Sequence, residues 1–543
     1  MNSLKKITLA MVAVMAAVVA MAQAPIEVRW EMGKNGAEKG YYSSRFIIKN
    51  VSGKQLGSNW QFYFNQFSRS FKLPENCPVT MKEVSTTYYQ VTPGANYKPM
   101  AAGDSIVIDM LMRGTFVNYC YWPNGGHVVM DGNTTEPIPA PIKHAELAKH
   151  GQWSEHALYP DGNYNYAYNE AINGIGDAYT GNDYDIFPTP KSVELKNGVT
   201  KVGSLVTVKG GGLFKKVPAI DYLKSELKAR GIYATAKQAT QISVKVSGGL
   251  NSNPEYYTLD VNDGKIAIVG ASNEGALNGV KTLLAALDHS KGHNLQNAHI
   301  ADFPDLHYRG YMLDISRNFF GYDNILRFID LMAYYKLNRL QFHFSDDESW
   351  RVEIPGLPEL TEVASRRGCT LDEKGYLAQI FDGNGNPNDL STSANGYLTR
   401  EQFIHLLKYA AARGVKVIPE VETPGHARAA IVAMKNRYEK YIGTDKAKAE
   451  QYMIWEPENT SVYTSAQSYH DNVVNVAGDG LYNFVDKVVS ELELMYKEAG
   501  LKLDIVHLGG DEVPRGSWDK SPAVQALMQR EGLKNAHEVN EYY

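Results

Sequence analysis

From about Asp302 onward the chain repeats one grammar, a short apolar strand followed by an amphipathic helix. "GYMLDIS" precedes "DNILRFIDLMAYYKL", in which Ile325, Phe328, Ile329 and Met332 recur at helical spacing. "NRLQFHFSD" is the next strand. After an insertion, "TREQFIHLLKYAAARG" opens on a capping-box pattern, Thr399 with Gln402, and stops at Gly414 before "VKVIPEVETPG". "LYNFVDKVVSELELMYKEAG" stops at Gly500 and leads into "LDIVHLGGDE". Four strands alternating with helices predict parallel βα units. Polar residues gather where each strand ends, in "DISRN", "HFSDDESW", "PEVETPGH" and "HLGGDEV". In a (β/α)8 TIM barrel that C-terminal rim carries the active site.

A chain of 543 residues exceeds one hydrophobic core and is expected to divide into domains. Residues 1–24 read as an export signal: Lys5 and Lys6, the apolar run "ITLAMVAVMAAVVAMA", then small residues for cleavage. The run is shorter than a spanning helix needs, so the mature protein is expected in the periplasm or outside the cell, with no membrane span. Residues 25–158 alternate or run apolar between Gly, Asn and Pro turns, which predicts a β-sandwich. Residues 159–185 are a Gly/Asn/Tyr-rich linker. Residues 186–303 mix strands with helices in a small α+β domain, where Ala276, Gly279, Val280 and Leu283 form one apolar helix face. Residues 304–543 are the barrel portion. A formal charge of −5 argues against a nucleic-acid partner. Of Cys77, Cys120 and Cys369, the first two allow a bridge, but three buried free thiols are the favoured reading.

An acidic pair after a strand has a plain explanation, complementing the dipole of the next helix. For Asp511 and Glu512 the preceding Gly509 and Gly510 shift the balance. Neighbouring side chains on a strand face opposite ways, and only a distorted strand end lets two serve one pocket. "HFSDDESWR" brings His343, Asp346 and Asp347, where a structural ion pair with Arg351 is the competing reading. "ETPGH" adds His426, which alone would be a solvated loop residue. "RGYMLDISR" adds Arg309 and Asp314, with Arg309 equally able to serve as a structural salt-bridge partner. Together these predict an acid-rich rim pocket for acid/base work on a polar neutral ligand. Metal binding ranks second, since no HExxH or EF-hand pattern occurs, and no cofactor is expected.

The ordered set "YRGYMLDISRNF", "FHFSDDESWR", "PEVETPGH" and "HLGGDEV" resembles the family 20 glycoside hydrolases, the β-N-acetylhexosaminidases. "IFPTPKSVEL" to "GVKTLLAALDH" resembles their non-catalytic α+β domain, and "VRWEMGKNGAEKGYYSSRFIIKN" the carbohydrate-binding-like sandwich of some bacterial members. The resemblance implies exo-acting, retaining hydrolysis of terminal β-linked N-acetylhexosamine from oligosaccharides or glycoconjugates. The substrate's own acetamido group serves as nucleophile. It makes Glu512 the general acid and base, which calls for burial, and Asp511 the anion that orients the acetamido group. Asp346 and His426 would form a dyad tuning Glu512. Arg309 would bind the hydroxyls of the terminal sugar, and His343 would shape the pocket. "DDESW" departs from the family's usual Gly before Trp, a change expected to be tolerated. The family's barrel has eight strands against four here, so about the first half is expected, and the chain as written is expected to be inactive or misfolded. Two alternatives remain, a non-catalytic glycan-binding protein and a metal-dependent hydrolase.

Overall fold

A computed structural model describes residues 23–67, 70–116, 121–145, 182–212 and 217–543. Nearly all of the export signal, nearly all of the linker and Cys120 lie outside the described residues. Cys77 and Cys369 are free thiols.

The first domain holds two five-stranded sheets around one core. Ile26–Met32 shows why these segments are strands: every second side chain is buried, and the polar ones between them face outward. Trp30, Phe46, Phe62, Phe64 and Tyr89 fill the shared interior. The second domain is a seven-stranded mixed sheet packed against helices Pro218–Ala229 and Asn273–His289. Ser272 caps the latter helix by accepting from Glu274 N. The expected apolar face is buried, and Gly279 is required there. A Cβ at that position would come within 2.6 Å of Ile268 and 3.0 Å of Tyr257.

In the third domain Gly310–Asp314, Arg339–His343 and Lys416–Glu420 form a parallel three-stranded sheet. Its register aligns Gly310, Arg339 and Lys416 at one end and Asp314, His343 and Glu420 at the other. Helices Tyr322–Tyr334 and Arg400–Ala412 connect these strands. The second carries the predicted capping box of Thr399 and Gln402 and ends before Gly414 at φ +72°.

The fourth predicted strand is a correction. Residues around "LDIVHLGGDE" meet the sheet through an isolated Glu420–His507 bridge, with His507 N donating to Pro419 O (3.0 Å) and Val421 N to His507 O (2.9 Å), and just past the strand Thr423 N donates to Leu508 O (3.1 Å). Gly509 and Gly510, at φ +70° and +104°, then turn the backbone away from extended geometry. The sheet is open at both sides, with Tyr311, Met312, Ile505 and Leu508 exposed. Among the described residues no helix is long and apolar enough to cross a membrane.

Arg309 stands at the N-terminal end of the first strand, about 16 Å from its rim end at roughly 3.3 Å per residue. This corrects its expected role in binding sugar hydroxyls. Its Nε donates to Lys336 O (2.7 Å), and Nη1 and Nη2 donate to Glu255 of the second domain (3.1 and 2.6 Å). Nearby, Lys336 Nζ donates to Asp302 (3.2 Å) and to the Tyr257 hydroxyl (3.1 Å). Burial pushes the Glu255 carboxyl up, but the Arg309 guanidinium outweighs it and holds the group below its ordinary 4.5. The contribution to stability is therefore present above that value and fades as pH falls through the lowered one. Arg309→Met is expected to cost about 3 kcal/mol in urea unfolding, because it leaves Glu255 buried without its partner. The double variant Arg309→Met/Glu255→Leu should recover most of that loss, and a single-variant cost below about 1 kcal/mol would show that the joint carries little.

Candidate active site

The rim begins where the first strand ends. Asp314 Oδ1 accepts from Ser316 N and Arg317 N (2.8 and 3.1 Å), a tight turn that throws the Arg317 side chain across the strand ends. Its guanidinium meets three acids, Asp314 (2.9 Å), Asp346 (2.8 Å) and Glu348 (2.8 Å). Arg317 thus occupies the rim position expected of Arg309.

His343, the last residue of the second strand, is buried with both ring nitrogens engaged. Nε2 lies 2.8 Å from Asp346, and Nδ1 lies 3.1 Å from Glu420 and 3.6 Å from Glu422. It shapes the site from beneath and presents no free nitrogen to a ligand. Asp346 Oδ1 sits 3.2 Å from His426 Nδ1, and His426 Nε2 lies 3.4 Å from Glu512 Oε2. Asp346, His426 and Glu512 therefore form one line, assembled from the second, third and fourth rim segments. Asp347 accepts from Arg428 N (3.1 Å) and Asn472 Nδ2 (2.9 Å), so it fixes loops. Among the described residues Arg351 pairs with no acid. It donates instead to the carbonyls of Ile315, Ser316, Ser365, Ala394 and Gly396, which corrects the ion-pair reading of this motif.

Asp511 and Glu512 differ from expectation in one respect. Asp511 is exposed and the Glu512 side chain is 50% exposed, so the burial required of the acid is absent in this chain. Glu512 has φ +47° and His426 +49°, a backbone region that costs a non-glycine residue about 1 kcal/mol or more and clusters at functional sites. Gln467 Nε2 donates to the same Glu512 Oε2 at 3.0 Å.

Burial lowers the affinity of His343 and His426 for a proton, but their carboxylate partners win. His343 is pushed up to about 10, chiefly by Asp346 and Glu420, and His426 to about 11 by Asp346 and Asp347. Burial raises Glu348 to about 8 against the pull of Arg317, and raises Glu422 to about 8, with Asp346, Glu420 and Asp511 adding to the effect. Burial opposes ionisation of Asp346 as well, yet His343, His426 and Arg317 hold it far below the usual range. The sets His343/Glu420/Glu422 and Asp346/Asp347/His426 are compact enough to hold a cation. Each imidazole would first have to give up a proton, because a doubly protonated ring has no lone pair to offer.

Sequence reasoning missed Arg317, Glu348, Glu420, Glu422 and Gln467. Strand polarity could have found Arg317, since it lies three residues past Asp314 on the C-terminal side and Arg309 lies on the other. Glu420 and Glu422 stand inside "PEVETPGH" and needed only the alternation of the strand. No local signal marks Gln467, which lies in a long irregular loop.

The comparisons with known proteins agree on a class. Residues 306–543 match "Glycosyl hydrolase family 20, catalytic domain", and residues 183–303 match "Glycosyl hydrolase family 20, domain 2". The chain belongs to glycoside hydrolase family 20. Among its relatives, a beta-hexosaminidase of Vibrio vulnificus is 29% identical over 92% of this chain and 60% of its own length. An N,N'-diacetylchitobiase of Vibrio harveyi is 30% identical over 84% of this chain and 52% of its own. The chain thus spans little more than half the length of these relatives. The crystal structure of an exo beta-N-acetylglucosaminidase from Vibrio harveyi in complex with N-acetylglucosamine matches with a TM-score of 0.71 and 26% identity, covering 95% of this chain and 72% of that one.

The contribution of a raised histidine to stability is whole below its ordinary 6.5 and is lost as pH rises through about 10 for His343 and 11 for His426. Both rings are expected to remain doubly protonated at pH 8 by nitrogen NMR, and Asp346→Asn should bring at least one into its neutral form there. Neutral rings in the unmodified protein at that pH would refute this charge network.

Proposed function

We propose that the protein hydrolyses terminal β-linked N-acetylhexosamine residues from oligosaccharides or glycoconjugates, with the course retaining and substrate-assisted, a reading that sets aside the expectation of an inactive or misfolded chain. The observation that carries this is the Asp346–His426–Glu512 line at 3.2 and 3.4 Å. Glu512 stands at the accessible end, where a leaving oxygen can reach it. It protonates that oxygen and then draws a proton from water. His426, held charged by Asp346, offers its Nε2 proton to Glu512 and steadies it once it has given up its own.

Asp511, next to it and exposed, is free to receive the acetamido N–H, whose carbonyl oxygen attacks the anomeric carbon in place of a protein nucleophile. The transition state is a sugar cation. A rim crowded with Asp314, Asp346, Glu420 and Asp511 favours positive charge at that point. Arg317 takes the sugar-binding role expected of Arg309. Three of its five N–H donors face acids, and the guanidinium remains partly accessible on the rim. The glycan-related names of the relatives above agree with this substrate class. The N-terminal leader "KKITLAMVAVMAAVVAMA" supports export to the periplasm or beyond.

The test is hydrolysis of p-nitrophenyl N-acetylglucosaminide beside calorimetric binding of N-acetylglucosamine. Glu512→Gln should lower kcat by about 10²- to 10⁴-fold while sugar binding persists. Arg317→Ala should weaken sugar binding instead. A protein that neither hydrolyses the glycoside nor binds the sugar would overturn the proposal. Activity is also expected to survive EDTA, whereas its loss, with restoration by zinc or manganese, would favour metal-dependent hydrolysis.

A further inference from the structure

Beyond the rim, one connection reaches Glu512 from an unexpected side. The Gln467 amide that touches Glu512 sits in a tight turn, Ser465–Tyr469. Ser468 N donates to Ser465 O (2.9 Å), Ser465 N to Tyr469 O (2.8 Å), and Tyr469 N to Ser465 Oγ (3.0 Å). The turn forces Ser468 to φ +72°, a conformation that needs support from its surroundings. The carbonyl of Ser468 receives a hydrogen bond from Thr86 Oγ1 at 3.2 Å. Thr86 belongs to the first domain, at the tip of the hairpin joining strands Val79–Ser85 and Tyr88–Pro93.

We infer that the N-terminal two-sheet domain is a working part of the active site: its hairpin tip, through Thr86, braces the turn that places the Gln467 amide on Glu512. Thr86 and Gln467 are positioning residues. The inference rests on the hydrolase reading above for its kinetic meaning, but the link itself is a structural statement.

Three observations make the brace firm. First, the domain is pinned to the third domain by buried side chains as well as by covalent linkage. Asn65 Nδ2 donates to Gln379 O (2.7 Å), while Gln379 Nε2 donates to Asn65 Oδ1 (2.7 Å) and to Gly125 O (2.8 Å). Second, the hairpin tip is itself anchored. Tyr88 OH lies 2.9 Å from His127 Nε2, and Tyr63 stacks on that ring at 5.4 Å. Third, Ser85 and Thr86 line the same narrow space as Asp347, Glu348, Arg428 and Tyr469, so the tip closes one side of the ion network.

The consequence falls on the carboxyl geometry. Glu512 is half exposed and follows two glycines, so its own backbone does little to hold it. Gln467 Nε2 and His426 Nε2 both face Oε2, at 3.0 and 3.4 Å, which leaves Oε1 for the proton passed to the leaving group. A modest loosening of the turn would act first on the Gln467 amide, and so on the placement of the acid. That predicts a loss in kcat with little change in KM.

The experiment compares Thr86→Val, which removes the hydroxyl and keeps the shape, with Thr86→Ser, which keeps the hydroxyl. Thr86→Val should lower kcat on p-nitrophenyl N-acetylglucosaminide about fivefold, the equivalent of one neutral hydrogen bond, with KM within about twofold. Thr86→Ser should restore the rate. In parallel, hydrogen–deuterium exchange should quicken in Thr86→Val at residues 463–472 and 509–514, while residues 60–65 and 376–380 keep their protection. Unchanged exchange at 509–514, or equal loss in both variants, would overturn the inference. If the unmodified protein hydrolyses nothing, the proposed activity fails and the exchange result alone decides the link.

Discussion

Asp346 carries three cationic groups on two oxygens, and the rim is organised around that fact. Oδ2 meets Arg317 Nη2 and His343 Nε2, each at 2.8 Å, and Oδ1 meets His426 Nδ1 at 3.2 Å. Its side chain is almost wholly buried, and a lone carboxylate there would carry a desolvation penalty of several kcal/mol. The partners arrive from three different strand ends, so satisfying Asp346 also sets the mutual placement of those strands. The network is a constraint on geometry first and a source of stability second, since buried ion pairs gain little net energy over well-packed apolar groups. It holds the imidazole of His426 with its Nε2 3.4 Å from Glu512.

The site is thus graded in stiffness. Its floor, His343 with Glu420 and Glu422, is closed off from solvent, and Gln341 donates twice to Glu420 (both 3.0 Å) to keep that carboxylate fixed. Its outer edge, Gly509 to Glu512, is exposed and bent. A Cβ on Gly509 would overlap the Glu422 carboxylate, so the loop crosses the floor at a point only glycine permits. This explains why two adjacent acids here can serve one site. The chain leaves strand geometry at Gly509, and Glu512 turns back towards His426.

The sequence makes the fold legible where periodicity is strong. The helix face of Ile325, Ile329 and Met332 and the capping box at Thr399 follow from local pattern, because helix spacing and caps are local physics. Of the site residues, Asp346, His426 and Glu512 fall together because each follows an apolar segment of strand composition. Arg309 misleads because it adjoins the same strand as Arg317, and only strand direction separates a rim residue from one at the domain joint. The fourth strand misleads in another way: "LDIVHL" has strand composition, but a strand needs a neighbour along its length and these residues pair only at their His507–Leu508 end. Burial is legible least of all. The acid run "DDES" looks like a solvated turn, yet Asp346, Asp347 and Glu348 are all buried, since their charge is balanced by residues far along the chain.

The two flanking domains grip the third domain at opposite ends of its strands. The second domain holds the N-terminal ends through the ion pair of Glu255 with Arg309. The first domain holds the rim side through Gln379 and Thr86, using neutral hydrogen bonds. The difference in chemistry follows from location. Another charged pair beside Asp347 and Glu348 would compete for Arg317, Arg428 and His426 and disturb the balance that keeps Asp346 ionised. Neutral donors can orient the loop around Glu512 without adding charge to the network. A domain docked at the rim of a charge-dense site is therefore expected to speak to it through hydroxyls and amides, as Thr86 and Gln467 do here.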